Sequence, residues 1–169
     1  MVSLMDELDE IARSIGALNT VDIREGRRYG SNTDVAAALG ALRQAAEKAG
    51  RTPLDEQRVL LIGAGGAGRA LAHGLADKVD RLTIANRTVS RAEKLAEEIG
   101  AEPCGLEVVE ELRPSILINT TSVGMHPNVE DTPVPASVLR KGMVVFDAVY
   151  NPIETRLLRE ARQAGCVTA

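Results

Sequence analysis

Three glycines in a fixed pattern, Gly63-x-Gly65-x-x-Gly68, carry the first chemistry visible in the sequence. That spacing suits a turn that cradles the pyrophosphate of a dinucleotide. The first glycine permits the tight turn, the second lets backbone approach the phosphates, and the third lets a helix pack closely on a strand. The helix that follows offers free N–H groups and a partial positive charge. Such a pattern has weight only in context. Here it follows the apolar run Arg58-Val59-Leu60-Leu61-Ile62 and opens a helix-compatible stretch to about Asp77. Gly66 and Ala67 lie inside the loop, so Gly63, Gly65, Gly66, Ala67 and Gly68 are the candidate pyrophosphate cradle. The competing reading is a glycine-rich loop in a chain of small residues.

The kind of dinucleotide is read at the end of the next strand. A chain that selects NAD places Asp or Glu about 20 residues further on, where it holds the ribose 2′-hydroxyl. Here Asn86-Arg87-Thr88 stands in that place, Arg91 follows one turn later, and no carboxylate appears before Glu93. Guanidinium groups fork onto phosphate oxygens. Asn86, Arg87, Thr88 and Arg91 therefore predict a 2′-phosphate and NADP(H). The alternative is that both arginines are solvated helix charges and Thr88 only a helix cap.

The elements that must position these groups alternate. Arg81–Ala85, Ser115–Asn119 and Met143–Asp147 read as apolar strands of the kind buried on both faces. Helical patterns cover residues 89–99 and 153–164, and a last strand starts at Cys166. Strand–helix alternation implies an α/β fold with a doubly wound parallel sheet. Upstream, Leu4, Leu8, Ile11 and Ile15 recur at helical spacing and predict one helix over residues 3–15, with Ser3 and Asp6 at its start. Residues 20–29 read as a hairpin turning at Glu25-Gly26, and Ser31-Asn32-Thr33-Asp34 opens a helix to about residue 49. The arginines at 24, 27 and 28 read as a solvated hairpin face.

Composition bounds the possibilities. The 169 residues are 44% hydrophobic and 26% charged, the balance of a folded domain, with a net charge of −4. That charge, and aromatics at only 2%, argue against nucleic-acid binding through basic surfaces or stacked bases. No apolar run is long enough for a membrane span, and the acidic start is unlike a secretory leader. A cytoplasmic protein is expected. Cys104 and Cys166 read as reduced, buried cysteines, and with only His73 and His126 beside them no metal site is expected.

Six ordered motifs between residues 16 and 155 resemble those of the shikimate dehydrogenases. They are Gly16-Ala17-Leu18-Asn19-Thr20, Gly30-Ser31-Asn32-Thr33-Asp34, the glycine loop, Asn86-Arg87-Thr88 with Arg91, Asn119-Thr120-Thr121-Ser122-Val123-Gly124-Met125, and Asp147-Ala148-Val149-Tyr150-Asn151-Pro152-Ile153-Glu154-Thr155. The resemblance implies NADP-dependent reduction of 3-dehydroshikimate to shikimate, on the route to aromatic amino acids. It implies a Rossmann-like cofactor domain over residues 34–169, with 34–50 a connecting helix, and a remnant of a substrate-binding domain over residues 1–33.

By the same resemblance Asp34 is the acidic partner of a catalytic lysine, Asn19 and Asp34 contact substrate hydroxyls, and Tyr150 lines the substrate side. Thr120, Thr121, Ser122 and Val123 lie near the cofactor. Residue types alone allow plainer roles: Asp34 as a helix cap, Asn19 as a turn former, Tyr150 as a packed loop aromatic, Asp147 as the cap of the last helix.

The chain also departs from the family. The Asn-x-Thr-x-Pro-x-Lys segment that carries the family's lysine occurs nowhere in it. A positioned proton donor contributes roughly 10²–10⁴-fold to such a reduction. A truncated chain that binds NADP(H) and turns over shikimate poorly is expected. Its first helix is expected to leave an apolar face uncovered, a surface for self-association. The alternatives are a stand-alone NADP-binding module without catalysis, and a quinate or quinate/shikimate dehydrogenase.

Overall fold

The strands β4 (Arg58–Ile62), β7 (Ile116–Asn119) and β8 (Val144–Asp147) are short apolar runs with no polar alternation. Such runs are stable only with both faces covered, which is the situation inside a parallel sheet. A computed structural model describing residues 2–169 shows that sheet. Its other members are β5 (Arg81–Ala85), β6 (Glu102–Cys104) and β9 (Val167–Thr168). The order is β6-β5-β4-β7-β8-β9, and every pairing is parallel. The chain winds outward from β4 in both directions. The crevice where the two halves part, at the carboxyl ends of β4 and β7, is the place where such sheets bind ligands.

Side chains on the two faces build two cores. Val59, Leu61, Ile84, Ile116, Ile118 and Val144 pack under α2 (Thr33–Lys48), α3 (Gly66–Leu75) and α4 (Val89–Ile99). Leu60, Ile62, Leu117 and Val145 pack under α5 (Arg156–Gln163) and the irregular segments around Val109 and Val138. Gly74 lets α2 press against α3, since a methyl group there would meet Leu39 at 2.9 Å. The fold is the expected α/β class with a doubly wound parallel sheet. Helix α4 covers the predicted 89–99.

The N-terminal prediction needs correction. Residues 3–15 are not one helix: a 3-10 turn over Val2–Leu4 is followed by the strand β1 (Glu7–Leu8), and α1 covers only Glu10–Ile15. Asp6 accepts a hydrogen bond from the Arg28 backbone N–H at 2.7 Å, and the Asp9 N–H donates to the Gly30 carbonyl at 2.9 Å. These bonds hold the segment extended along β3 (Arg27–Ser31), which also pairs with β2 (Thr20–Arg24) in the predicted hairpin. The cap of α1 is Asp9, which accepts from the Ala12 N–H, not Ser3 with Asp6.

The apolar face expected to stand uncovered is mostly covered. Ile15 belongs to the core beneath α3 and Ile11 packs against it, while Leu4 remains exposed. The hairpin arginines are solvent-exposed as expected, and each pairs with an acid: Arg24 with Asp22, Arg27 with Glu7, Arg28 with Asp6. Cys104 and Cys166 are free but only half-buried. No helix among the described residues is long and apolar enough to cross a membrane.

Two further differences bear on the site. Strand β6 carries Pro103, which hides it from sequence patterns and is tolerated because β6 is an edge strand. Helix α5 begins at Arg156 rather than 153, because Thr155 caps it by accepting from the Leu158 N–H.

Candidate functional site

Strand β4 ends at Ile62, and the chain turns at Gly63 with φ +107°, a conformation that side chains disfavour. Gly65 then takes the cap position of α3. With no side chain to cap it, the first N–H groups of α3 keep no acceptor within the helix. Thr120 locks this turn from the β7 side, its hydroxyl donating to the Ile62 carbonyl at 2.8 Å. A methyl group on Gly63 would meet Thr120 Oγ1 at 2.7 Å, so the two loops touch without room to spare.

Asn86 closes the other side. Its Oδ1 accepts from the Ala64 N–H at 3.3 Å, and its Nδ2 donates to the Thr88 carbonyl at 2.8 Å. The amide expected beside the ribose phosphate is thus also the strut between the glycine turn and the turn before α4. Thr88 occupies the cap position of α4 but its side chain makes no capping bond. Arg87 and Arg91 are exposed, and neither guanidinium has an ion-pair or hydrogen-bond partner among the described residues.

Two clefts flank the glycine turn. The first, about 390 Å³, is lined by Gly63, Gly65, Asn86, Arg87 and the segment Thr120–Val123. Ile62, Ala64, Leu106, Thr132 and Pro133 complete its wall. The predicted cofactor residues therefore converge, except Arg91, which lies outside the lining, and Gly66, Ala67, Gly68 and Thr88, which stand beside it. The second cleft, about 640 Å³, lies against Gly66 and Ala67 and brings Asp34 and Tyr150 together with Asn32, Ile15 and Phe146.

Asn19 does not line the second cleft. Its Oδ1 accepts from the Thr33 N–H at 3.0 Å and from the Thr20 hydroxyl at 3.0 Å, tying the hairpin to the start of α2. Asp34 is not the cap of α2. Asn32 is, accepting from the Val35 N–H at 3.2 Å, and Asp34 stands exposed in the first turn, free to face the cleft. Tyr150 is 82% exposed, so it is no packed core aromatic.

Between β7 and β8 lies a network that residue patterns do not show. Asn119 and Asp147 are register partners at the strand ends, and Asn119 Nδ2 donates to Asp147 Oδ1 at 2.9 Å. Asp147 does not cap α5. It accepts from the hydroxyl of Thr155, the residue that does, at 2.6 Å. Burial pushes the Asp147 carboxyl above its ordinary range, while bonds from Thr155, Val149 and Asn119 pull it back.

A twisted parallel sheet wound outward from β4, with a glycine turn into a helix at its crevice, defines a Rossmann-like α/β domain. More narrowly, the chain belongs to the shikimate/quinate 5-dehydrogenase family, whose family model matches residues 43–150. It is 44% identical over 176 residues to the chloroplastic bifunctional 3-dehydroquinate dehydratase/shikimate dehydrogenase of Arabidopsis thaliana, covering 96% of this chain and 29% of that protein.

Among solved structures it resembles shikimate 5-dehydrogenase of Thermus thermophilus in complex with NADP(H) and shikimate. The TM-score is 0.82 at 40% identity, covering 99% of this chain and 61% of that one. It also resembles quinate dehydrogenase of Corynebacterium glutamicum in complex with NAD, with TM-score 0.80 at 37% identity, covering 98% of this chain and 61% of the other. The chain thus spans less than two thirds of the length of these relatives.

Proposed function

We propose that this chain is the cofactor-binding part of an NADP-dependent shikimate dehydrogenase, holding NADP(H) for the reduction of 3-dehydroshikimate to shikimate. The observation that carries the reading is Arg87. Its guanidinium is free of internal partners, it lines the cleft beside Gly63 and Gly65, and no carboxylate replaces it at the end of β5. A free guanidinium beside a phosphate cradle favours a cofactor with a 2′-phosphate.

The residues present fit that cofactor. The open N–H groups of α3 take the pyrophosphate. Gly65 and Gly66 leave open space where side chains would stand, so backbone can approach the ligand. Thr120 to Val123 wall the first cleft, and Tyr150 lines the second. When bound, the reduced nicotinamide supplies hydride. Asp34 and Tyr150 face the second cleft, where substrate hydroxyls would find an acceptor and a donor. In this reading residues 1–33, with Asn19, belong to the substrate-binding half and residues 34–169 to the cofactor half.

Family resemblance makes Asp34 the partner of a lysine carried on an Asn-x-Thr-x-Pro-x-Lys segment. The 169-residue sequence contains no such segment, and the chain by itself is expected to turn over shikimate slowly. A quinate dehydrogenase using NAD is the second reading, supported by the likeness to the Corynebacterium enzyme; Arg87 speaks against it. Separate titrations of the purified chain with NADPH and NADH decide. NADPH binding at least about tenfold tighter is expected, the yield of one added charge-assisted contact. Equal affinities, or tighter NADH, would overturn the proposal.

A further inference from the structure

Asp147 is the only charged side chain buried among the described residues, at 8% exposure. A buried carboxylate costs free energy unless its oxygens are fully bonded. Here they are, by donors from separate segments. Oδ1 accepts from Asn119 Nδ2 at 2.9 Å and from the Val149 N–H at 3.1 Å, and Oδ2 accepts from the Thr155 hydroxyl at 2.6 Å.

Each donor leads somewhere different. Asn119 passes the constraint on: its Oδ1 accepts from the N–H of Thr121 at 3.0 Å and from its hydroxyl at 2.7 Å, and Thr121 lines the cofactor cleft. Val149 precedes Tyr150, which lines the second cleft. Thr155 ends that loop and caps α5. The backbone reinforces the same joint, with the His126 N–H donating to the Asn151 carbonyl at 3.0 Å.

Capping α5 needs only the Thr155 hydroxyl as acceptor, and closing the β7–β8 ladder needs only backbone. Neither demands a buried charge. We infer that Asp147 is a positioning residue, whose carboxylate fixes the cofactor-side loop 120–123 and the Tyr150 loop 148–155 in one mutual arrangement. This rests on the cofactor reading proposed above only for its functional consequence; the coupling of the loops stands on geometry alone.

The test uses the 169-residue chain with Asp147→Asn, Thr155→Val and Thr155→Ser. Asp147→Asn keeps the shape but sets an amide where three donors converge. Three quantities are measured: NADPH affinity, amide hydrogen exchange without cofactor, and the thermal midpoint. Asp147→Asn is expected to weaken NADPH binding about tenfold, the equivalent of one lost charge-assisted bond. It is also expected to speed exchange in both 120–123 and 148–151 while β4 and α3 keep their protection.

Thr155→Val, which touches only one loop, should loosen the other as well, and Thr155→Ser should restore both. Exchange that rises everywhere in step with a lower midpoint would reduce Asp147 to a stability residue. Loosening confined to 148–155, with NADPH affinity unchanged, would also overturn the inference. If the unsubstituted chain binds no NADPH, the cofactor reading fails while exchange in the two loops still decides the role of Asp147. If Asp147→Asn does not fold, the Thr155 pair decides it.

Discussion

A methyl group on Gly68 would stand 2.1 Å from the carbonyl oxygen of Gly63. The first turn of α3 therefore lies directly on the end of β4, closer than any other residue permits. Gly68→Ala must push the helix away, and overpacking at that scale costs about 1–3 kcal/mol. Gly65 is the contrast: its φ of −86° suits any residue, and a side chain there would meet nothing within 4 Å. Gly65→Ala should change stability by less than about 0.5 kcal/mol, yet stand at the cleft that Arg87 also lines and weaken NADPH binding. Urea unfolding of both variants, with NADPH titration of the second, checks the pair. Equal stability losses would show that the two glycines do not divide the work this way.

Arg87→Ala should separate the two cofactors. Removing a guanidinium that meets a phosphate costs about 1.5–3 kcal/mol, so NADPH affinity should fall more than tenfold while NADH affinity hardly moves. Arg91, which lies outside the cleft lining, should give a smaller loss. Parallel titrations with both cofactors read this out, and a matched loss for both would mean that Arg87 meets something other than the 2′-phosphate.

Asn32 and Asp34 sit two residues apart, and only Asn32 caps α2. Asn32→Ala should cost about 1 kcal/mol through the lost cap. Asp34→Asn should cost less than about 1 kcal/mol, the worth of a carboxylate in the first turn. Its effect should fall on shikimate, read as lost chemical-shift perturbation at saturating NADP⁺. A large stability loss on Asp34→Asn with unaltered shikimate response would reverse the assignment.

His73 should tilt the pH dependence of stability. Burial first, and the neighbouring Arg69 next, hold its pKa below the ordinary 6.5, against a smaller upward pull from Glu98. Its Nε2 is buried without a hydrogen-bond partner, 3.8 Å from Glu98. With the folded value below the unfolded one, the unfolded chain binds the proton first as pH falls. Stability is therefore complete above 6.5 and declines as pH drops from 6.5 through the folded value. His73→Gln should flatten that decline. Unfolding free energies of both proteins across this window measure it, and parallel curves would show that His73 does not contribute.

Much of the six-stranded sheet and its helices was legible because the determinants are local. The runs at β4, β7 and β8 are apolar over consecutive residues, the glycine pattern follows directly, and α4 has a full amphipathic period. Strand β6 was hidden because Pro103 contradicts strand propensity, and only a neighbour on one side makes it tolerable. Residues 3–15 show how a periodic pattern misleads: Leu4 and Leu8 keep helical spacing, yet Asp6 and Asp9 bond to backbone in a hairpin some twenty positions away.

The amino-acid order by itself determined the alternation of strands and helices, the glycine turn and the absence of an acid after β5. Each depends on residues within one turn or one strand of each other. Only the tertiary structure decided what Asp147 does. Its partners Asn119 and Thr155 are 28 and 8 residues distant, and the register of β7 against β8 brings the first within 2.9 Å. It likewise decided that Asn32 caps α2 and leaves Asp34 open to the cleft. Side-chain hydrogen bonds form between whatever the packed sheet brings within reach, and distance along the chain carries no such information.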